Sequence, residues 1–169
     1  RWADGWVTMA YGAWQQGRKV DAQEALRIAR EVEPQPARAA LLRGEIAFSE
    51  RVEARAKELY RAALDGGAED YRARMALAAL ENKAGDLDAC ERDTLAAEKD
   101  FPGWDDKDLS AELKLAALYE AQDRHDDSMA ALERWLGWNA GDQEHRREVA
   151  LWHMEKGRTE PALKLLAEA

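Results

Sequence analysis

A 34-residue period runs through this chain and restricts it to a small set of folds. Trp6, Met9, Ala10, Gly17, Ala22, Leu26, Ala29 and Pro34 set out the pattern. One step of 34 further on stand Gly44, Arg51, Ala56, Tyr60, Ala63 and Ala68, and a second step brings Ala78, Gly85, Cys90, Thr94, Ala97 and Pro102. The register slips by four residues at Asp105, Asp106, Lys107 and Asp108. It resumes at Leu115, Ala116, Tyr119, Ser128 and Leu132 and closes with Val149, Ala150, Gly157, Ala162, Leu166 and Ala169. Two consecutive steps without an insertion are hard to obtain by chance. A period in this range is the signature of a solenoid, in which each unit buries its apolar face only against its neighbours.

Inside each unit the apolar residues return at helical spacing, stop, and return again. Trp6, Met9, Ala10 and Ala13 make the first stripe, and Gly17 closes it where a tight turn needs a positive φ. Ala22, Ala25, Leu26 and Ala29 make the second stripe, which Pro34 stops. The spacing predicts ten helices, at about 4–16, 19–32, 38–50, 53–65, 71–84, 87–99, 109–122, 125–138, 143–156 and 159–169. Gly66 and Gly67 mark a break between units, and Thr159 is expected to cap the last helix with Pro161 in its first turn. The units fall at 3–36, 37–70, 71–104, 109–142 and 143–169, with 105–108 as an insertion and the fifth unit truncated. One continuous solenoid domain is expected. A start without methionine and an end inside a helical pattern predict a piece of a longer protein.

Small residues recur where helices must cross closely. Ala10, Gly44, Ala78, Ala116 and Ala150 share one place in the repeat, and Ala22, Ala56, Cys90, Ser128 and Ala162 share another. Side chains this short let helix axes approach toward the close end of the usual spacing. Cys90 is accordingly expected to be a buried small residue rather than a reactive thiol.

With these residues in place, the chain resembles a tetratricopeptide repeat (TPR) array over residues 3–169. The resemblance implies an all-α, right-handed superhelical solenoid of antiparallel helix pairs, with the first helix of each pair lining the concave side. It implies a scaffold that binds peptides or proteins, and no enzymatic activity. Four residues depart from the family pattern: Arg43 stands where leucine is preferred, Arg51 and Asp123 where glycine is, and Trp135 where a second alanine is. Trp135 should either wedge its neighbours apart or swing out to the surface.

Composition removes several function classes. Net charge is −9, and residues 109–142 hold seven carboxylates against three cations. No basic stripe appears along the chain, which disfavours nucleic acid as a partner, and no apolar run is long enough to insert in a membrane. A single cysteine excludes an internal disulfide framework and a thiolate metal cluster. No phosphate-binding glycine loop, serine elbow or zinc helix is present, so no catalytic residue, metal or cofactor is assigned. His145, Glu148 and His153 share a helix face but read as solvated. His125, Asp126 and Asp127 suit a helix start. Asp105, Asp106 and Asp108 lack the glycine and glutamate of a calcium loop.

The candidate binding surface is the face of each first helix turned away from its partner. Read at i, i+4, i+7, it holds Val7, Tyr11 and Trp14; Leu41, Glu45 and Phe48; Met75 and Asn82; Leu113 and Glu120; and Arg147, Leu151 and Met154. Its first half is unusually apolar and aromatic for a surface. The positions that hold a chaperone carboxylate tail in one TPR subset carry Val7, Tyr11, Leu42, Arg72 and Ala76 in the first three units, which is no clamp. The expected partner is a protein or peptide segment anchored by apolar or aromatic residues. A second candidate is a polysaccharide, handled by a periplasmic scaffold of a bacterial exopolysaccharide synthesis or secretion machine. Cytoplasm and periplasm stay equally open. Leu163 and Leu166, on the outer side of the last helix, are expected to support weak end-to-end self-association.

Overall fold

The computed structural model describes residues 2–33, 37–103 and 106–167. Those residues form ten helices and no strand. They are α1 (Trp2–Gln15), α2 (Lys19–Val32), α3 (Ala37–Ser49), α4 (Glu53–Asp65), α5 (Tyr71–Lys83), α6 (Leu87–Asp100), α7 (Ala111–Glu120), α8 (His125–Trp138), α9 (Gln143–Glu155) and α10 (Thr159–Ala167). The fold is an all-α helical repeat. Contacts divide it into two compact units, one through Asp86 and one from Leu87 onward. In the first, α1 pairs with α2 and α3 with α4, while α5 packs on α3 and α4. In the second, α7 pairs with α8 and α9 with α10, while α6 packs on α7. No helix among the described residues is long and apolar enough to cross a membrane.

Most boundaries follow the periodicity, and the later start of α7 has a local cause. Helix α7 begins two residues later than its spacing predicts, because the Ser110 hydroxyl accepts the Leu113 N–H at 3.2 Å and so caps a helix that starts at Ala111. Thr159 is not a cap but the first helical residue, and the Ala162 N–H reaches back to the Arg158 carbonyl at 3.4 Å. Pro34, Asp105, Trp104 and Ala169 lie outside the described residues, as does the side chain of Trp2.

The turns inside the pairs share one construction. Arg18, Val52, Asp86, Arg124 and Arg158 each donate their N–H to the carbonyl five residues back, at 2.8–3.0 Å. The residue before each donates to the carbonyl three back, which together is the Schellman closure of a helix end. That preceding residue must be left-handed: φ is +72° at Gly17, +78° at Gly85 and +72° at Gly157. Arg51 and Asp123 adopt the same conformation, at 63° and 58°. The repeat therefore imposes its backbone geometry even where the side chain opposes it.

Every one of the ten repeated small positions is buried. Gly44 shows what a larger residue would meet: a Cβ there would lie 2.7 Å from the Tyr60 ring on the partnering helix. In the second unit Trp135 neither swings out nor loses its polar end to solvent. It is fully buried among Leu115, Met129, Leu132 and Val149, and its Nε1–H donates to Asp142 at 3.0 Å. Asp142 also accepts from Lys107 at 2.8 Å and contacts the His145 ring at 3.0 Å, and its other oxygen takes the His145 N–H. Burial alone would raise this carboxyl's pKa, but the Lys107, His145 and Trp135 hydrogen bonds outweigh it and hold the group well below the usual carboxylate range. Lys107 in the four-residue insertion thus ties it to the head of α9.

Candidate functional site

Helices α1 and α3 lie side by side in the first unit, and their outward stripes meet. Val7 and Tyr11 from α1, with Leu41 and Glu45 from α3, line one pocket of about 210 Å³, together with Thr8, Arg38, Leu42 and Asp70. The floor is apolar, since Val7 and Leu42 are buried members of the core. Aromatic surface stands beside it. The Tyr11 and Trp14 rings are 6.3 Å apart and tilted, and Tyr11 and Phe48 remain 48% and 43% exposed. Rings of this size left open to water are an unpaid hydrophobic cost that a bound segment would remove.

Charge in this pocket is predominantly negative. Glu45 is half-buried, and burial first, then repulsion from Asp70, raises its pKa against the lowering effect of Arg72. Asp70 is committed to capping α5, accepting the Ala73 N–H at 2.8 Å, so it cannot turn away from Glu45 to relieve that repulsion. A cation placed here would compensate both carboxylates.

The remaining predicted positions are placed variously. Met75 is buried at 2% exposure and serves the wall of α5, while Asn82 on the same helix is exposed. In the second unit, Leu113 is half-buried against the core, and Glu120 contacts the His125 ring at 3.1 Å. Arg147 lines a pocket of about 490 Å³ with Gln143, Glu144, Arg146 and Leu166. Leu151 and Met154 are about half exposed, at 52% and 54%. The structure thus gathers Val7, Tyr11, Leu41 and Glu45 into one place, with Trp14 and Phe48 nearby on the same helices.

Some polar residues escaped the sequence reading. Arg146 is buried, at 2% exposure, and its Nε and Nη1 have no hydrogen-bond partner among the described residues. Arg124 stacks over the Tyr119 ring at 4.2 Å while holding Glu91, and Arg158 stacks over the Trp152 ring at 4.0 Å. The weaker chemical signals resolve into structural contacts. His153 is buried rather than solvated and bonds Glu133, Asp126 accepts from Trp152 and Lys156, and Asp127 pairs with Arg124. Cys90 is buried. Among the described residues no three His, Cys, Asp or Glu side chains converge as a metal site would require.

No family model matches the sequence, and no curated protein matches it either. Solved structures do resemble it. The MamA protein superposes with a TM-score of 0.67 at 16% identity, covering 98% of this chain and 88% of its own. YrrB, described as a TPR protein with an unusual peptide-binding site, gives 0.67 at 15% identity over 96% of this chain and 82% of its own. A tetratricopeptide repeat protein from Parabacteroides merdae gives 0.69 at 17% identity, covering 96% of this chain and 63% of its own. Identities this low establish the fold alone.

Proposed function

We propose that this tetratricopeptide-fold chain is a non-enzymatic interaction scaffold, whose α1/α3 groove receives a partner segment bearing an aromatic or apolar anchor next to a basic residue. The observation that carries this reading is the pocket formed by Val7, Tyr11, Leu41 and Glu45, flanked by exposed rings and holding a desolvated carboxylate. An apolar anchor would cover the Val7, Leu41 and Leu42 floor. An arginine or lysine beside it would face Glu45 and Asp70 and remove their mutual repulsion. Helix-in-groove and extended-segment recognition both work in this way, with a few side-chain anchors supplying most of the affinity.

The test begins with peptides selected from a random library against the array. Selected sequences should pair an aromatic or aliphatic residue with Lys or Arg. The double variant Trp14→Ala, Phe48→Ala should bind them at least about tenfold more weakly with unchanged helicity. Unchanged affinity in that variant removes the groove assignment. Titration with neutral and cationic polysaccharides, followed by tryptophan fluorescence, should give no response; a saturable response would move the assignment to the polysaccharide reading.

A further inference from the structure

The opposite face of α3 borders a different cavity. Residues 43, 46 and 50 lie about half a helical turn from 41, 45 and 48. There Arg43 and Ile46, with Leu26 and Arg30 of α2 and Arg55 and Leu59 of α4, surround a cleft of about 300 Å³. Leu26 is buried and Ile46 and Leu59 are half-buried, while Val52, Arg30 and Arg55 are exposed. Arg43 is fixed by a hydrogen bond from Nη2 to the Leu26 carbonyl at 3.1 Å. Arg30, Arg43 and Arg55 all line the cleft, no carboxylate among the described residues pairs with Arg43, and burial, then repulsion from Arg30 and Arg55, lowers its pKa. Arg27, which also lines the cleft, is held by Glu24 and Glu31, and Arg55 bonds Glu58 at 2.8 Å, while Arg30 has no ion pair among the described residues.

Packing does not ask for an arginine at position 43. The places corresponding to Arg43 in the other four units are Met9, Leu77, Leu115 and Val149, all apolar. Those corresponding to Arg55 are Asp21, Ala89, Asp127 and Pro161, and those corresponding to Arg30 are Leu64, Glu98 and Leu136. A half-buried cation at a place that is elsewhere apolar costs stability unless something compensates it. In a chain of net charge −9, Arg43 is such a residue, and the exposed Arg30 and Arg55 stand at the same cleft.

We propose that the cleft between α2 and α4 is a second docking site, which takes a short acidic segment of a partner protein presenting a carboxylate beside an apolar side chain. Charge complementarity selects this occupant. The planar guanidinium fork matches a carboxylate in two-point contact, and Leu26, Ile46 and Leu59 offer the adjoining apolar surface. A nucleic-acid backbone fits poorly, because its run of phosphates would pass Glu50 in the lining and Glu24, Glu31 and Glu58 on the two helices, whereas a single carboxylate faces only Arg30, Arg43 and Arg55. The site is independent of the α1/α3 groove and has the opposite charge preference.

Fluorescence anisotropy with a labelled peptide, Leu-Glu-Phe-Asp-Leu-Glu, and its amide counterpart, Leu-Gln-Phe-Asn-Leu-Gln, tests this directly. The acidic peptide should bind about tenfold or more tightly than the amide one, and less tightly as salt rises. Arg43→Leu, which installs the residue type found at this place in other units, should keep the helicity and lose about tenfold in affinity. The pair Arg30→Glu, Arg55→Glu should lose at least as much. Trp14→Ala, Phe48→Ala should leave the acidic peptide's affinity unchanged, whatever that variant does to groove ligands. Absence of binding, equal binding of the two peptides, or full affinity in Arg43→Leu overturns the proposal. Loss of binding in the Trp14, Phe48 variant also overturns it, because the peptide would then occupy the groove.

Discussion

Arg51 and Asp123 occupy left-handed backbone at turns where Gly17, Gly85 and Gly157 do so without strain. A residue with a Cβ there costs about 1–2 kcal/mol, partly offset because glycine loses more entropy on folding. Arg51→Gly should therefore stabilise the protein by about 0.5–1 kcal/mol, read as a higher denaturant midpoint with the slope unchanged. Asp123→Gly should gain less, since a short carboxylate side chain tolerates this region better than arginine does. The reverse holds at Gly44, where an added methyl meets the Tyr60 ring at 2.7 Å. Gly44→Ala should cost about 1–3 kcal/mol, the usual range for an overpacked contact.

At the scale of the helix pair, Asp142 is the residue on which the second unit's unusual joint depends. Replacing its charge, as in Asp142→Asn, removes charge-assisted bonds to Lys107 and His145 beneath the buried Trp135, and should cost about 1.5–3 kcal/mol at neutral pH. The folded carboxyl sits below its unfolded value of 3.8, so its stabilisation is complete above that value and is lost as pH falls through the folded one. The gap between wild type and Asp142→Asn should accordingly stay constant from neutral pH to about pH 4 and narrow below it, as measured by urea unfolding. The helix pairs and their small crossings were legible in the sequence because apolar spacing and Gly or Ala positions report directly on packing. Trp135 was not, because its polar partner lies in a turn and periodicity carries no information about that contact. Val7 and Met75 show a second limit: a helical stripe gives the direction a side chain faces but not how deeply it sits. The arginine cleft was hidden for a third reason. Arg30, Arg43 and Arg55 come from three helices, and counting charge along the chain cancels them against neighbouring glutamates without showing that the three meet at one cleft.

For the whole molecule, the exposed outer side of α10 bears on association. Leu163 and Leu166 are 61% and 45% exposed, while Leu165 packs inward on the core. Covering each fully is worth about 1.5–3 kcal/mol, enough for weak association at high concentration. Sedimentation across a wide concentration range should show it, and Leu163→Glu with Leu166→Glu should abolish it; a wild type that stays monomeric throughout contradicts the expectation. The recurring Schellman turns have a consequence of another kind. Each closes with bonds spanning six residues, and each helix pair joins segments adjacent in the chain. Loop closure thus demands little entropy before contacts reward it, which is the condition for rapid folding. On a ribosome, a hairpin such as α1/α2 could assemble as soon as its second helix has emerged, without waiting for the rest of the chain.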